Sequence, residues 1–219
     1  MKTMNRSTIN LHLGDSLEAM RKMPDNAYDL AIVDPPYGIG ATVTIGAGDM
    51  RSGVMVESKW EKKQWDNNRP TKEYFKQLKR VSVNQIIWGG NYFSDLLSVS
   101  PCWIVWDKVQ RIKLPDAEFA WCSFKTGIKI FEYSRSKLQG FMNPNRFHPT
   151  EKPVKLYEWL LTNYAKEGNK ILDTHLGSCS IAIACHNLKF DLDGWELDED
   201  YYKAGVKRFE QHKKQLQLF

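Results

Sequence analysis

The chain has 219 residues, 42% hydrophobic and 26% charged, with a formal net charge of +5 from 31 Lys+Arg against 26 Asp+Glu. That length fits one domain with a sizeable core, and the composition excludes wholesale disorder. No apolar run reaches the roughly 18 residues of a membrane span, and the opening MKTMNRSTINLHLGD lacks the apolar stretch of an export signal, so a cytoplasmic protein is expected.

The first predicted element is a strand near Thr8–Leu13, ending in Gly14-Asp15. A short helix follows with Leu17, Met20 and Met23 toward the core, and Pro24-Asp25-Asn26 stops it. Tyr28–Val33 reads as a buried strand that ends in Asp34-Pro35-Pro36-Tyr37, where two prolines break any ladder. From Gly38 to Pro70 the glycines at 38, 40, 46, 48 and 53 mark a long surface segment, a kind of insertion that is usually functional or disordered. A helix is expected over Thr71–Ser82, with Tyr74, Phe75, Leu78 and Val81 on one face. Strands follow at Gln85–Trp88, Trp103–Trp106 and Phe119–Phe124, whereas Thr126–Phe147 has no clear period.

The last third reads as helix Pro153–Ala165, strand Lys170–Leu172, a Gly/Ser turn, helix Ile181–Asn187, strand Asp191–Trp195 and a helix from about Glu199 onward. Strands alternating with helices predict an α/β domain with a largely parallel sheet. Ligands bind such sheets at the carboxyl ends of the strands. Asp34–Tyr37, Asp173–Ser180 and Glu196–Asp198 all follow predicted strands, so they are expected to share one rim.

Charge and cysteine placement narrow the function further. Between Arg51 and Arg80 there are nine Lys/Arg and four Asp/Glu, and Lys108–Arg146 is also basic, which suits either solvated faces or a polyanionic partner. Trp60 and Trp65 lie among Lys59, Lys62, Lys63 and Arg69, a pattern that serves nucleic-acid contact or packing of the loop. Trp88, Trp103 and Trp159 read as core. Cys102, Cys122, Cys179 and Cys185 form no CxxC pair and have no zinc-finger spacing, so free thiols and no metal site are expected.

Asp34-Pro35-Pro36-Tyr37 carries the chemistry. A carboxylate and the Pro35 carbonyl can accept both protons of an exocyclic NH₂, and Tyr37 offers a π face to the ring bearing it. At roughly 5% usage per residue type, a given tetrapeptide arises by chance in about one chain of this size in a thousand. The motif resembles the catalytic element of the DNA amino-methyltransferases, whose Asp-initial form goes with adenine N6 and whose Ser-initial form goes with cytosine N4. Gly14-Asp15-Ser16-Leu17 resembles the family's GDxL element. His148–Pro153 resembles the segment before its cofactor motif, Asp173–Ser180 the DPFxGSGT cofactor motif, and Gly194–Asp198 the G-x-E-x-D after it. The catalytic motif comes first, the order of the circularly permuted β group. Three positions depart from the pattern: Thr174-His175 replace Pro-Phe, and Cys179 replaces a glycine.

The resemblance implies a Rossmann-like S-adenosylmethionine-dependent methyltransferase fold, with a mostly parallel sheet flanked by helices in a single catalytic domain. It implies that Asp34, Pro35, Pro36 and Tyr37 are catalytic. Asp15, Asp34, Thr150, Lys152, Asp173, His175, Leu176, Gly177, Ser178 and Glu196 would hold S-adenosylmethionine, whose product is S-adenosylhomocysteine. Asp15 serves equally as a helix cap, Thr150 and Lys152 as a helix-start loop, and Asp173 as an organiser of its own loop. Glu196 would bind ribose hydroxyls. The partner would be double-stranded DNA, with the target base flipped out of the stack, as in restriction-modification. Lys59, Lys62, Lys63, Arg69, Lys108, Arg111 and Lys113 are the expected phosphate contacts, and specificity would arise from DNA-contacting insertions at about 38–70 and 126–147. A homodimer or partner subunit is compatible with such short insertions. The competing readings are a cytosine-N4 enzyme, an RNA adenine methyltransferase, and a non-catalytic DNA-binding subunit with the same fold.

Overall fold

Alternating Ile9 and Leu11 with outward Asn10 and His12 makes β1 (Ile9–Leu13) a strand with one covered face, as an edge position requires. In the computed structural model, which describes residues 7–39, 66, 68–110, 115–134 and 151–216, it begins an eight-stranded sheet. Helix α1 (Ser16–Lys22) starts where Asp15 Oδ1 accepts hydrogen bonds from the backbone N–H of Leu17 (2.7 Å) and Glu18 (3.3 Å). Such a cap contributes about 1 kcal/mol. Strand β2 (Tyr28–Val33) buries five of its six residues, the mark of a strand covered on both faces.

Helix α2 (Lys72–Val81), capped by Thr71, buries Tyr74, Phe75, Leu78 and Val81, the face expected from their spacing. Strand β3 (Ser82–Trp88) leads into a 3₁₀ turn at Gly90–Phe93. Strands β4 (Trp103–Asp107), β5 (Ala117–Cys122) and β6 (Lys129–Glu132) follow. The chain then forms α3 (Val154–Tyr164), β7 (Lys170–Asp173), α4 (Ser180–Leu188), β8 (Asp191–Glu196) and α5 (Glu199–Leu216). Pro153 sits just ahead of α3, where its missing N–H costs nothing.

Two expectations change. The strand expected at 119–124 sits two residues earlier, and Lys129–Glu132 is a strand within a stretch that shows no period. Strand β6 is four residues long and lies on an edge with Ile130 exposed, so it has no buried alternation to read.

The sheet order is β1-β8-β7-β2-β3-β5-β4-β6, parallel except where β5 runs against β3 and β4. The pleat of β2 feeds two cores. Leu30 and Ile32 pack with Leu156, Leu160, Ile181 and Ile183 of α3 and α4. Ala31 and Val33 pack with Met20, Phe75 and Leu78 of α1 and α2. Strand β2 connects onward to its neighbour β3, and β7 to β8 on the opposite side. The order therefore reverses between β2 and β7, which opens a crevice at their carboxyl ends. Asp34 follows one strand and Thr174 the other.

Candidate active site

Pro35 and Pro36 have no N–H to donate, so the chain leaves the sheet at Asp34. The turn is fixed from outside by Asp66, whose Oδ1 accepts from the N–H of Tyr37 (2.6 Å) and Gly38 (3.1 Å). The Tyr37 hydroxyl donates to Asp34 Oδ1 at 2.7 Å. Its ring stacks on Tyr92, with centroids 4.9 Å apart and planes 16° apart, and meets the edge of Phe93. Gly89 lies beneath it with φ +69°, and a Cβ there would come within 2.2 Å of the Tyr37 ring. The aromatic face expected to receive a base therefore lies against Tyr92 in this structure.

Asp34 is half of a buried wall. Its Oδ2 accepts from Lys152 Nζ, and Lys152 Nζ also lies 3.2 Å from Glu118 Oε2. Glu118 Oε1 is 2.7 Å from Lys108 Nζ. The Lys152 side chain is only 3% exposed and sits over the Trp88 ring. Burial pushes the Asp34 carboxyl up, while the Lys152 charge and the Tyr37 hydroxyl pull it down. Burial alone would lift Glu118 too, but the ammonium groups of Lys152 and Lys108 hold it at about 2. Burial works to strip the Lys152 proton, and the two carboxylates outweigh it, so Lys152 stays a cation.

Two cavities meet at this wall. The larger, about 550 Å³, runs from the Gly14–Leu17 turn past Thr174–Ser178 to Glu196–Asp198. The smaller, about 270 Å³, is bounded by Tyr37, Asn91, Tyr92 and Glu118. Asp34, Pro36 and Lys152 line both.

The larger cavity is shaped by hydrogen bonds from distant elements. Glu196 Oε2 accepts from Gly177 N–H (2.8 Å) and Oε1 from Asp198 N–H (2.9 Å), so this acid fixes the loop as well as facing the cavity. Asp173 accepts from His175 N–H (2.9 Å), and burial lifts its carboxyl to about 8. Its position answers the loop-organising expectation, and it does not line either cavity. Thr174 and His175 join a network in which the Tyr74 hydroxyl lies 2.6 Å from Thr174 Oγ1 and His175 Nδ1 2.9 Å from the same atom. Cys179 adopts φ +57° at the start of α4, the conformation a glycine takes without strain. Its Sγ fills the space that the missing side chain of Gly205 leaves, 2.6 Å from a Cβ built there.

Burial lowers His175 to about 4. Below the unfolded value near 6.5 the unfolded chain takes up a proton that the folded chain refuses. Stability from the neutral ring is thus present above pH 6.5 and is lost as pH falls toward 4. Thermal melts at pH 7 and pH 4.5 are expected to show the wild type losing more than His175→Phe. An unchanged difference between the two pH values would refute this environment for the ring.

Asp15, Asp34, Lys152, His175, Leu176, Gly177, Ser178 and Glu196 all line the larger cavity, and Asp34, Pro35, Pro36 and Tyr37 the smaller. Asp15 is both a helix cap and a cavity residue. The expected phosphate contacts fare differently. Lys108 is 6% exposed, paired with Glu118, laid over Trp106 and set in the lining of the smaller cavity. Arg69 is tied to Asp95 and donates to the Tyr92 carbonyl at 3.1 Å, which fixes the turn carrying Tyr92. Lys59, Trp60, Lys62, Lys63, Trp65, Arg111, Lys113 and Thr150 lie outside the described residues. Glu118, Asp66, Asn91 and Tyr92 were not singled out by sequence, because nothing local distinguishes them from ordinary strand and turn residues.

Residues 91–207 match the N6/N4 DNA methylase family profile, more than half the chain. The chain belongs to the N6/N4 DNA methylase family. Curated relatives align over about nine-tenths of its length. The type II methyltransferase M.HpaI of Haemophilus parainfluenzae is 23% identical over 90% of this chain and 72% of its own. The putative methylase YubD of Escherichia coli K12 is 25% identical, covering 89% and 87%. Among solved structures, the M1.HpyAVI–SAM complex superposes with TM-score 0.61 at 18% identity, covering 92% of this chain and 100% of that one. The cytosine-N4-specific PvuII DNA methyltransferase gives 0.59 at 13% identity, covering 95% and 91%. These likenesses show that the fold is that of the family, an α/β domain with a mostly parallel sheet.

Proposed function

We propose that this methylase transfers a methyl group from S-adenosylmethionine to the N6 amino group of an adenine flipped out of double-stranded DNA. The observation that carries the reading is the Asp34–Lys152 wall, shared by two cavities at the crevice between β2 and β7. The larger cavity fits the methyl donor. Its volume lies in the usual range for small-molecule sites. Leu17, Leu176 and Leu197 offer apolar walls, and Asp15 and Glu196 offer carboxylates for hydroxyl and amino groups. When bound, S-adenosylmethionine supplies a methyl group on a positively charged sulfur.

The chain's own residues do the rest. Tyr37 stacks on the flipped ring once Tyr92 gives way, replacing part of the lost base stacking. Asp34 and the Pro35 carbonyl accept the two amino protons, which turns the nitrogen lone pair out of the ring and toward the wall. Transfer is then an in-line displacement in which the nitrogen–methyl bond forms as the methyl–sulfur bond breaks, S-adenosylhomocysteine leaves and the methylated nitrogen gives up one proton to water, and positioning supplies much of the rate. Asp34 stabilises the positive charge growing on nitrogen. Contacts to the duplex fall to the segments 38–70 and 126–147, largely outside the described residues.

Arg208 of α5 braces this site from behind. It donates to the Ser178 carbonyl (2.7 Å) and Ser180 Oγ (2.9 Å) and pairs with Glu151 (2.8 Å), next to Lys152. Charged hydrogen bonds of this kind are worth about 1.5–3 kcal/mol. Calorimetry with Arg208→Ala is expected to show S-adenosylmethionine binding weakened about tenfold or more. Unchanged affinity would detach Arg208 from the site.

The test of function is incubation with unmethylated duplex DNA and labelled S-adenosylmethionine, followed by nucleoside analysis. N6-methyladenine supports the reading. N4-methylcytosine, the reading favoured by the likeness to the PvuII enzyme, would keep the mechanism and replace the base. Product on RNA alone would replace the polymer. Cofactor binding too weak to detect in calorimetry would point to a non-catalytic DNA-binding subunit.

A further inference from the structure

The wall between the cavities holds one acid that the reaction as described does not use. Glu118 sits on β5, brought beside β3 by the antiparallel pairing Trp88↔Ala120. Each of its oxygens faces a different lysine, Oε1 toward Lys108 at 2.7 Å and Oε2 toward Lys152 at 3.2 Å. Both lysine side chains are nearly buried, at 7% and 3% exposure. Lys152 therefore has two anionic partners, Asp34 just past the end of β2 and Glu118 on β5, and those two strands are not neighbours in the sheet.

We propose that Glu118 is a positioning residue for methyl transfer, holding the Lys152 ammonium between two carboxylates so that Asp34 keeps the capacity to accept an amino proton. The proposal rests on the functional reading above. Its physical basis is the sharing of one cation. An ammonium bound by Asp34 alone satisfies that carboxylate and competes with the substrate's N–H groups for it. An ammonium pulled also toward Glu118 leaves part of the Asp34 charge unspent. Lys108 in turn neutralises Glu118, so two buried lysines balance two partly exposed acids.

The groups facing Asp34 set the sign of the pH effect. Tyr37 on its own turn, Tyr74 of α2, Glu118 of β5, Lys152, Tyr157 of α3 and Asp173 of β7 all surround it. Among them Glu118 opposes Asp34 ionisation, and Lys152 and the Tyr37 hydroxyl favour it. Removing the Glu118 charge leaves Lys152 to Asp34 alone and makes Asp34 more acidic.

The test is Glu118→Gln in steady-state kinetics on duplex DNA across pH, with a crystal structure of the variant. The expected result is kcat down about tenfold or more, KM for DNA and for S-adenosylmethionine within about twofold, and the acid limb of kcat moved to lower pH. The structure should show Lys152 Nζ drawn away from residue 118 and toward Asp34. A purely structural role would change KM or the melting temperature without moving the acid limb. Should Glu118→Gln fail to fold, Glu118→Asp keeps the charge but draws the carboxylate back by one methylene, and the same fall in kcat at constant KM is expected. Wild-type kcat with an unmoved acid limb, or Lys152 Nζ unmoved in the variant structure, overturns the proposal. A wild-type protein that transfers no methyl group overturns the functional reading instead, and the position of Lys152 in the variant structure still decides the role of Glu118.

Discussion

Asp34→Ala is expected to lower the rate of methyl transfer by about a thousandfold or more while leaving the protein folded. Two effects on the rate combine. The variant loses the acceptor that orients the amino group, and it loses the negative charge opposite the nitrogen where positive charge grows. Removing one preorganised group of this kind costs about 10²–10³ in rate, and lost orientation adds to it. The fold is spared because Lys152 keeps a second counter-ion in Glu118. Single-turnover transfer, with a thermal melt on the same sample, separates the two. A folded variant with near wild-type turnover would remove Asp34 from the mechanism.

Lys152→Met reverses that balance. The methionine fills the volume but leaves two carboxylates near each other inside the protein. Glu118 keeps Lys108, whereas among the described residues Asp34 keeps only the Tyr37 hydroxyl. Breaking a buried pair by removing one partner typically costs about 3–5 kcal/mol. Part of the cost is relieved if Asp34 takes up a proton, and a protonated Asp34 accepts poorly from an amino group. The variant is therefore expected to lose both activity and stability, where Asp34→Ala loses chiefly activity. Urea unfolding measures it, and a midpoint within error of wild type would contradict the buried, shared ammonium.

How much of this was legible in the sequence follows from how local each signal is. Strand β2 and helices α2 and α3 were readable because their burial repeats within a few residues, and Tyr28–Val33 matches residue for residue. The rim was readable because Asp34, Asp173 and Glu196 each stand at or just past a strand end. The departures at Thr174, His175 and Cys179 were visible as departures. Their accommodation was not, because Tyr74 lies 100 residues from Thr174, and Gly205 follows Cys179 only after a helix, a strand and part of a second helix. Glu118 was invisible for the same reason. Within Ala117–Cys122 it reads as an ordinary outward residue, and its value comes from a lysine on another part of the chain. Lys108 reads as a surface cation by composition and is buried by that same carboxylate.

The adjacency of β2 and β7 also governs how the molecule comes into being. Lys170 N–H bonds to Asp29 across 141 residues of chain, and Leu30 pairs with Ile171 in register. Closing a loop of that size costs conformational entropy before any contact returns it, and folds dominated by such pairings form slowly. During synthesis β1 to β6 emerge first and must wait, with the flank of β2 that later pairs with β7 uncovered, until the segment carrying β7 and β8 follows. Until that late closure neither part holds the Asp34–Lys152 pair, so on the proposed mechanism a nascent or truncated chain is expected to leave DNA unmodified.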